Sequence, residues 1–225
     1  MLVRKLETIL SIQNYQHMDR VNKIEDKVAG YYDKKIQEFG ATSKGVDWNG
    51  IESQELRFEQ LLKVVVEEQF ALIDFGCGYG ATYDYLVERE YKLSKYTGVD
   101  ISEAMLAEAK ALHVDCANFY LSKSIEEAKL HDYIIASGVF NVKQKEPNDS
   151  WKEYCTGLLC KFNDFSTKGF SFNMLTKYSD KEYMKDYLYY ADPMFYFDYC
   201  KKHFSKDVAL LHDYKLYEFT IIVRK

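Results

Sequence analysis

The run Gly76-Cys77-Gly78-Tyr79-Gly80 stands directly behind a short apolar segment, Phe70 to Phe75, and this junction restricts the fold more than any other feature of the chain. An apolar run with no polar alternation reads as a strand buried on both faces, as parallel sheets require. Glycines immediately beyond it permit a tight turn in which the backbone approaches a ligand closely. A helix expected to start near Tyr79 would aim its unpaired N–H groups at whatever occupies that turn.

The pattern recurs downstream. Strand-like runs cover Lys95 to Asp100, Asp132 to Ser137 and Gly169 to Leu175. Helical stretches lie between them at Tyr83 to Glu90, at Glu103 to Leu112 with Met105, Leu106, Ala109 and Leu112 facing inward, and at Trp151 to Phe165. Strands alternating with helices predict a parallel sheet with right-handed crossovers. The last two runs, Asp207 to Asp213 and Tyr217 to Arg224, have almost nothing between them. So short a connection holds no crossover helix, so this pair must be antiparallel.

Ahead of the sheet the chain reads as helical. One helix is expected over Val21 to Phe39, then a turn-rich loop from Gly40 to Gly50. A second runs from Ile51 to about Glu68, with Asn49 and Glu52 as a capping box and Phe58, Leu61, Leu62 and Val65 on one face. Two prolines and 11 glycines leave little material for a flexible linker. Residues 1–69 are therefore read as a helical extension or lid, and 70–225 as a ligand-binding core, within one domain.

Composition removes several functions. The net charge is −5 and the 30 basic residues are scattered, so the basic stripe that tracks a phosphate backbone is not visible and nucleic acid is not expected as a partner. The five cysteines form no CxxC pair and no zinc-ligand spacing, which predicts reduced thiols and no metal. Charges interrupt the N-terminal segment, and no run reaches the length of a membrane span. A cytoplasmic protein without a membrane partner is the expectation. Tyrosine is abundant, and many crowd between Tyr178 and Tyr199. That run either lines a pocket or reflects ordinary packing under a compositional bias.

Asp100 ends the second strand, where a carboxylate accepts hydrogen bonds from ribose hydroxyls in nucleoside-binding folds. The run Gly76-x-Gly78-x-x-Ala81 also satisfies the looser dinucleotide fingerprint, so an NAD-dependent oxidoreductase stays open. Three observations favour a methyl donor instead. Asp74, just ahead of the glycines, suits a cationic amino group and would repel a pyrophosphate. The motif lies about a third of the way along the chain, behind helices. The closing antiparallel hairpin is foreign to the usual dinucleotide fold.

The stretches "ALIDFGCGYG", "GVDIS" and "DYIIASGVFNV" resemble class I S-adenosylmethionine-dependent methyltransferases, and "GATSKGVDWNGIESQELRFEQLL" resembles the N-terminal region of a bacterial small-molecule subgroup. The resemblance spans Tyr31 to Lys225. It implies an α/β fold with a seven-stranded, mostly parallel Rossmann-like sheet, order 3-2-1-4-5-7-6, with strand 7 antiparallel. It implies S-adenosyl-L-methionine as cofactor, with the methionine part at Asp74, Gly76, Cys77 and Gly78, the ribose at Asp100, and the adenine on Ile101. Ser137 would lie beside the cofactor, and Arg57 and Trp48 would reach it from the extension, Arg57 toward the carboxylate. Ser122-Lys123-Ser124 departs from the acidic residue common in the family near the adenine. Plainer roles stand beside these: Asp100 with Glu103 as a helix cap, Arg57 as a solvated helix charge, Trp48 as packing.

For the acceptor, Ser137-Gly138-Val139-Phe140-Asn141 replaces the Asp/Asn-Pro-Pro-aromatic run of amine methylators in this family. Neither Pro147 nor Pro193 precedes a cysteine, which argues against pyrimidine carbon chemistry. By elimination the expected acceptor is a hydroxyl of a small molecule. A sugar or surface-polysaccharide precursor is suggested only by where similar bacterial proteins tend to be found. His212, at the end of the sixth strand, is the candidate general base, or else a surface histidine. Asn141, Asn173, Tyr190 and Tyr214 are candidate acceptor contacts, the segment Tyr178 to Asp192 a candidate lid, and Lys123, Lys143 and Lys177 candidate anchors for an anionic acceptor. A non-catalytic, cofactor-binding regulator is the remaining alternative.

Overall fold

The computed structural model describes the backbone of residues 2–48 and 50–225, and side chains from residue 18 onward except at position 49. A long helix α1 (Leu2–Phe39) leads through a single 3₁₀ turn (Ser43–Val46) into α2 (Ile51–Leu62). Then β1 (Gln69–Phe75), α3 (Ala81–Glu88), β2 (Lys92–Val99), α4 (Glu103–Leu112), β3 (Phe119–Ser122), α5 (Ile125–Ala128) and β4 (His131–Ala136) follow. The chain continues through α6 (Asn148–Phe165), β5 (Ser166–Leu175) and α7 (Pro193–His203), and ends with β6 (Asp207–Leu211) and β7 (Glu218–Arg224).

The strands form one sheet of order β3-β2-β1-β4-β5-β7-β6. β1 pairs parallel with β2 and β4, β3 parallel with β2, and β5 parallel with β4. β7 runs antiparallel to both β5 and β6. The seven-stranded fold with an antiparallel seventh strand is thus the observed one. Both faces of the sheet are covered, because successive side chains point to opposite sides. Ile73, Ile134 and Ile221 pack with α6 and α7 through Leu159, Phe162 and Tyr196. Leu72, Ile135 and Ile222 pack with α2 and α3 through Phe58, Leu61 and Leu86. A smaller cluster of Ile36, Tyr79 and Met105 fastens α1 onto α4.

Several boundaries differ from expectation. α2 ends at Leu62, well short of Glu68. Val64, Val65 and Val66 follow, and β-branched side chains lose rotamer freedom against a preceding helical turn. Val64 is instead fully buried beneath the sheet. The expected cap Asn49 lies outside the described residues, and Gly50 occupies the N-cap of α2. Leu112 is 52% exposed, since α4 turns its last residue away from the sheet. The cap of α4 is Ser102, whose hydroxyl accepts from the Met105 amide at 3.1 Å. β3 and α5 are too short to show a period of their own, and the sequence did not mark them.

Candidate active site

The carboxyl ends of β1, β2 and β4 open into a cavity, the place where open α/β sheets bind ligands. The glycine turn after β1 forms its floor, the Ser137–Val139 turn after β4 one wall, and α1, α2 and the 3₁₀ turn its roof. Val28, Tyr32, Val46, Trp48, Gln54 and Phe58 are the roof's contribution. The N-terminal extension is thereby part of the site.

Gly76 has φ +77°, and a Cβ there would stand 2.5 Å from Val139 Cγ2. The two turns are therefore packed backbone to side chain, and only glycine permits it. Asp100 links the second strand to this turn: its Oδ2 accepts from the Gly78 amide and its Oδ1 from the Ser102 amide, each at 2.9 Å. Burial raises the carboxyl above its ordinary range, and those two amides pull it back. Both oxygens keep further lone pairs for a diol, as a carboxylate offers about four acceptor positions.

Asp74 is 1% exposed and lies on the α3 side of β1. Its Oδ2 accepts from the Tyr96 hydroxyl at 2.7 Å. Burial pushes this carboxyl up to about 6, with the Tyr96 and Thr82 hydroxyls lowering it and Asp100 raising it. It is held by the Tyr96 and Thr82 hydroxyls and is not among the residues lining the cavity. Cys77, Ile101 and Ser137 do line it. The Ser137 hydroxyl is buried and has no hydrogen-bond partner among the described residues. A buried polar atom left unmatched is costly, so a ligand atom is the natural partner.

These features fit S-adenosylmethionine. An unmatched hydroxyl, a backbone cradle that a Cβ would fill and a carboxylate with spare lone pairs face one largely apolar space. When bound, the cofactor supplies an electrophilic methyl group on a sulfonium. The chain's own residues would hold it: Gly76, Cys77 and Gly78 by backbone, Asp100 by its carboxylate, and Ile101 and Met105 by apolar contact.

The other candidates lie elsewhere. His212 is exposed at the end of β6, with its ring 6.1 Å from Tyr178 and 6.2 Å from Phe219, outside the cavity lining. β4, β5 and β7 separate β6 from β1, a lateral distance of about 19 Å at the usual strand spacing. Arg57 is buried and paired with Glu218 at 2.6 Å, its Nη1 donates to Ser53 O, and its guanidinium lies 3.9 Å over the Trp48 ring. It stands behind Trp48 and does not line the cavity. Asn141 and Asn173 are both engaged with backbone: Asn141 Oδ1 accepts from Leu175 N at 3.0 Å and Asn173 Oδ1 from Gly138 N at 2.6 Å. Tyr214 bonds Thr220, and the Tyr190 hydroxyl accepts from Lys185 N. Lys123 and Lys177 are paired with Glu103 and Asp192, and Lys143 donates to Glu146 O.

A family model described as a methyltransferase domain matches residues 73–160, the segment from β1 into α6. The Mycobacterium tuberculosis protein Rv1506c, whose own methyltransferase name is an inference, is 48% identical over 158 residues, 70% of this chain and 95% of that protein. The small RNA 2′-O-methyltransferase of Arabidopsis thaliana is 32% identical over 142 residues, 56% of this chain and 15% of that protein. Among solved structures, a DhpI complex with SAM and HEP superposes with a TM-score of 0.60 at 13% identity, covering 88% of this chain and 96% of that one. An S-adenosylmethionine-dependent methyltransferase from Clostridium acetobutylicum gives 0.53 at 14% identity, covering 88% and 98%. At those identities the structures show the fold alone. The chain belongs to the class I S-adenosylmethionine-dependent methyltransferases. Neither a nicotinamide oxidoreductase nor a non-catalytic regulator draws support from these relatives.

Proposed function

We propose that this methyltransferase acts on a hydroxyl oxygen of a small, uncharged polar acceptor, with a sugar as the fitting class. The observation that carries this reading is the charge of the cavity wall. Among the described residues lining it, Asp100 is the single charged group, and no Lys, Arg or His is present. A phosphate or carboxylate on the acceptor would find no protein cation there and would lose hydration at a cost, whereas the cofactor's own carboxylate enters with its ammonium and sulfonium charges. A neutral polyol loses less, and hydroxyl, amide and aromatic groups (Tyr32, Gln54, Trp48, Trp151, Tyr154) can meet it. The Tyr32 and Tyr154 phenols, protonated at neutral pH like any unperturbed phenol, can donate hydrogen bonds there. In this reading the chain contributes alignment and exclusion of water.

The plant relative is named for methylating the 2′ oxygen of small RNA, which is itself a sugar hydroxyl. That supports oxygen as the accepting atom. A nucleic-acid acceptor fits less well, because its phosphates would meet a wall without cations. The test is turnover with S-adenosylmethionine on separate sets of neutral glycosides, phosphorylated sugars and short RNAs, read as S-adenosylhomocysteine release and product mass. Methyl ethers are expected from the neutral set. Turnover confined to the RNAs or the phosphorylated sugars refutes the reading.

A further inference from the structure

Two elements of the cavity wall, Trp48 and the Gly138 turn, are joined behind it by a closed ring of contacts. Trp48 lies against Gly138 so tightly that a Cβ on Gly138 would stand 2.5 Å from the indole Cη2. The Arg57 guanidinium lies over the same indole, 3.9 Å from the Trp48 ring centre. Its Nε meets Glu218 Oε1 at 2.6 Å. Glu218 Oε2 accepts from Asn173 Nδ2 at 3.4 Å, and Asn173 Oδ1 accepts from the Gly138 amide at 2.6 Å, which closes the ring. Val139, next in the turn, packs on Gly76 of the cofactor cradle.

We propose that Glu218 and Asn173 are positioning residues of the methyl-donor site, setting Trp48 and the Ser137–Val139 turn against the glycine cradle from a place that touches no ligand. Only the two ends of the ring, Trp48 and Gly138, line the cavity; Arg57, Glu218 and Asn173 stand behind. Arg57, Glu218 and Asn173 are 9%, 1% and 0% exposed. A buried ion pair is a poor source of stability, because desolvation offsets its attraction, whereas removing one partner strands the other. What the pair does supply here is registry. It joins the helical extension to β7, and through Asn173 on β5 it reaches the turn beyond β4. No apolar contact would fix the direction of the Gly138 N–H, and the preorganised amide of Asn173 does.

The test compares Glu218→Gln, the double variant Arg57→Met with Glu218→Gln, and the core variant Ile222→Ala as a stability control. Each is measured for its thermal midpoint and, well below that midpoint, for its calorimetric dissociation constant with S-adenosylhomocysteine. The amide introduced by Glu218→Gln keeps an acceptor for Asn173, and the double variant leaves no charge buried alone, so it folds even where Glu218→Gln does not. Network couplings predict about tenfold weaker binding in Glu218→Gln and in the double variant, while Ile222→Ala binds like the parent chain at its own lowered midpoint. Binding within about twofold of the parent in the double variant overturns the proposal. So does an equal loss in Ile222→Ala, which would mean that affinity merely tracks stability.

Discussion

Replacing Gly138 by alanine perturbs the site through one methyl group. Gly138 has φ +74°, a left-handed conformation that costs an L side chain about 1–2 kcal/mol. The new Cβ would also lie 2.5 and 2.6 Å from the Trp48 Cη2 and Cζ2 atoms, inside any real contact distance. Trp48 cannot yield cheaply, because Arg57 is packed on its ring. Overpacking of this kind adds about 1–3 kcal/mol, for a total near 2–5 kcal/mol. For a chain of this size that lowers the thermal midpoint by roughly 4–20 °C. Gly157 provides the matched control. It sits in α6, and a Cβ there meets nothing within 4 Å. Gly157→Ala removes the helix penalty of glycine, worth about 1 kcal/mol, and should raise the midpoint by about 2–4 °C. Scanning calorimetry of both variants reads the two signs together. S-adenosylhomocysteine affinity should fall in Gly138→Ala and hold in Gly157→Ala. A Gly138→Ala midpoint within about 2 °C of the parent refutes the packing argument.

Other expectations follow from the same geometry. Asp100→Ala removes a carboxylate that accepts from two amides and faces the cavity, so S-adenosylhomocysteine should bind about 10–100-fold more weakly; unchanged affinity by calorimetry removes Asp100 from the cofactor site. Asp74 has its folded pKa raised to about 6, so between the ordinary carboxylate range and 6 the folded state binds the extra proton and stability from this group falls as pH rises. Asp74→Asn should therefore gain on the order of 2 kcal/mol relative to the parent at pH 7–8 and little at pH 4, read from urea unfolding across that range; a constant difference at all pH values contradicts the assignment. His212→Ala should leave turnover within about twofold, since the imidazole is exposed and outside the cavity lining; a loss beyond about tenfold would return His212 to the reaction.

Local pattern carried much of the architecture. The apolar runs at β1, β4 and β7 are buried on both faces, so they stand out without any period. The brief link before Glu218 left the last two strands a single possible direction. The glycine turn and Asp100 were legible for a similar reason: each is tied to the end of a strand, and the following register brings Gly78 and Asp100 together. Shorter or mixed signals failed. The end of α2 is not legible because Val64 to Val66 continue an apolar pattern while disfavouring the helix.

By itself, then, the chain's order of residues determined six of the seven strands, where the backbone can tighten around a nucleoside, and which carboxylate ends the neighbouring strand. These depend on neighbours within a few residues. Tertiary structure alone decided what the roof of the cavity is and what each distant partner does. Val28 and Tyr32 line one cavity with Tyr154 and Gly138 only because α1 lies over the carboxyl ends of the strands. Arg57 meets Glu218 because α2 packs on β7, and that contact took a guanidinium away from the cavity and placed it beneath Trp48. His212 ends the edge strand, as the expected sheet order implies, but only the folded arrangement shows its ring lying against Tyr178 and Phe219, outside the cavity lining. Periodicity states which way a side chain faces; it carries no information on which strand lies beside which, and that pairing is set by contacts far apart in the chain.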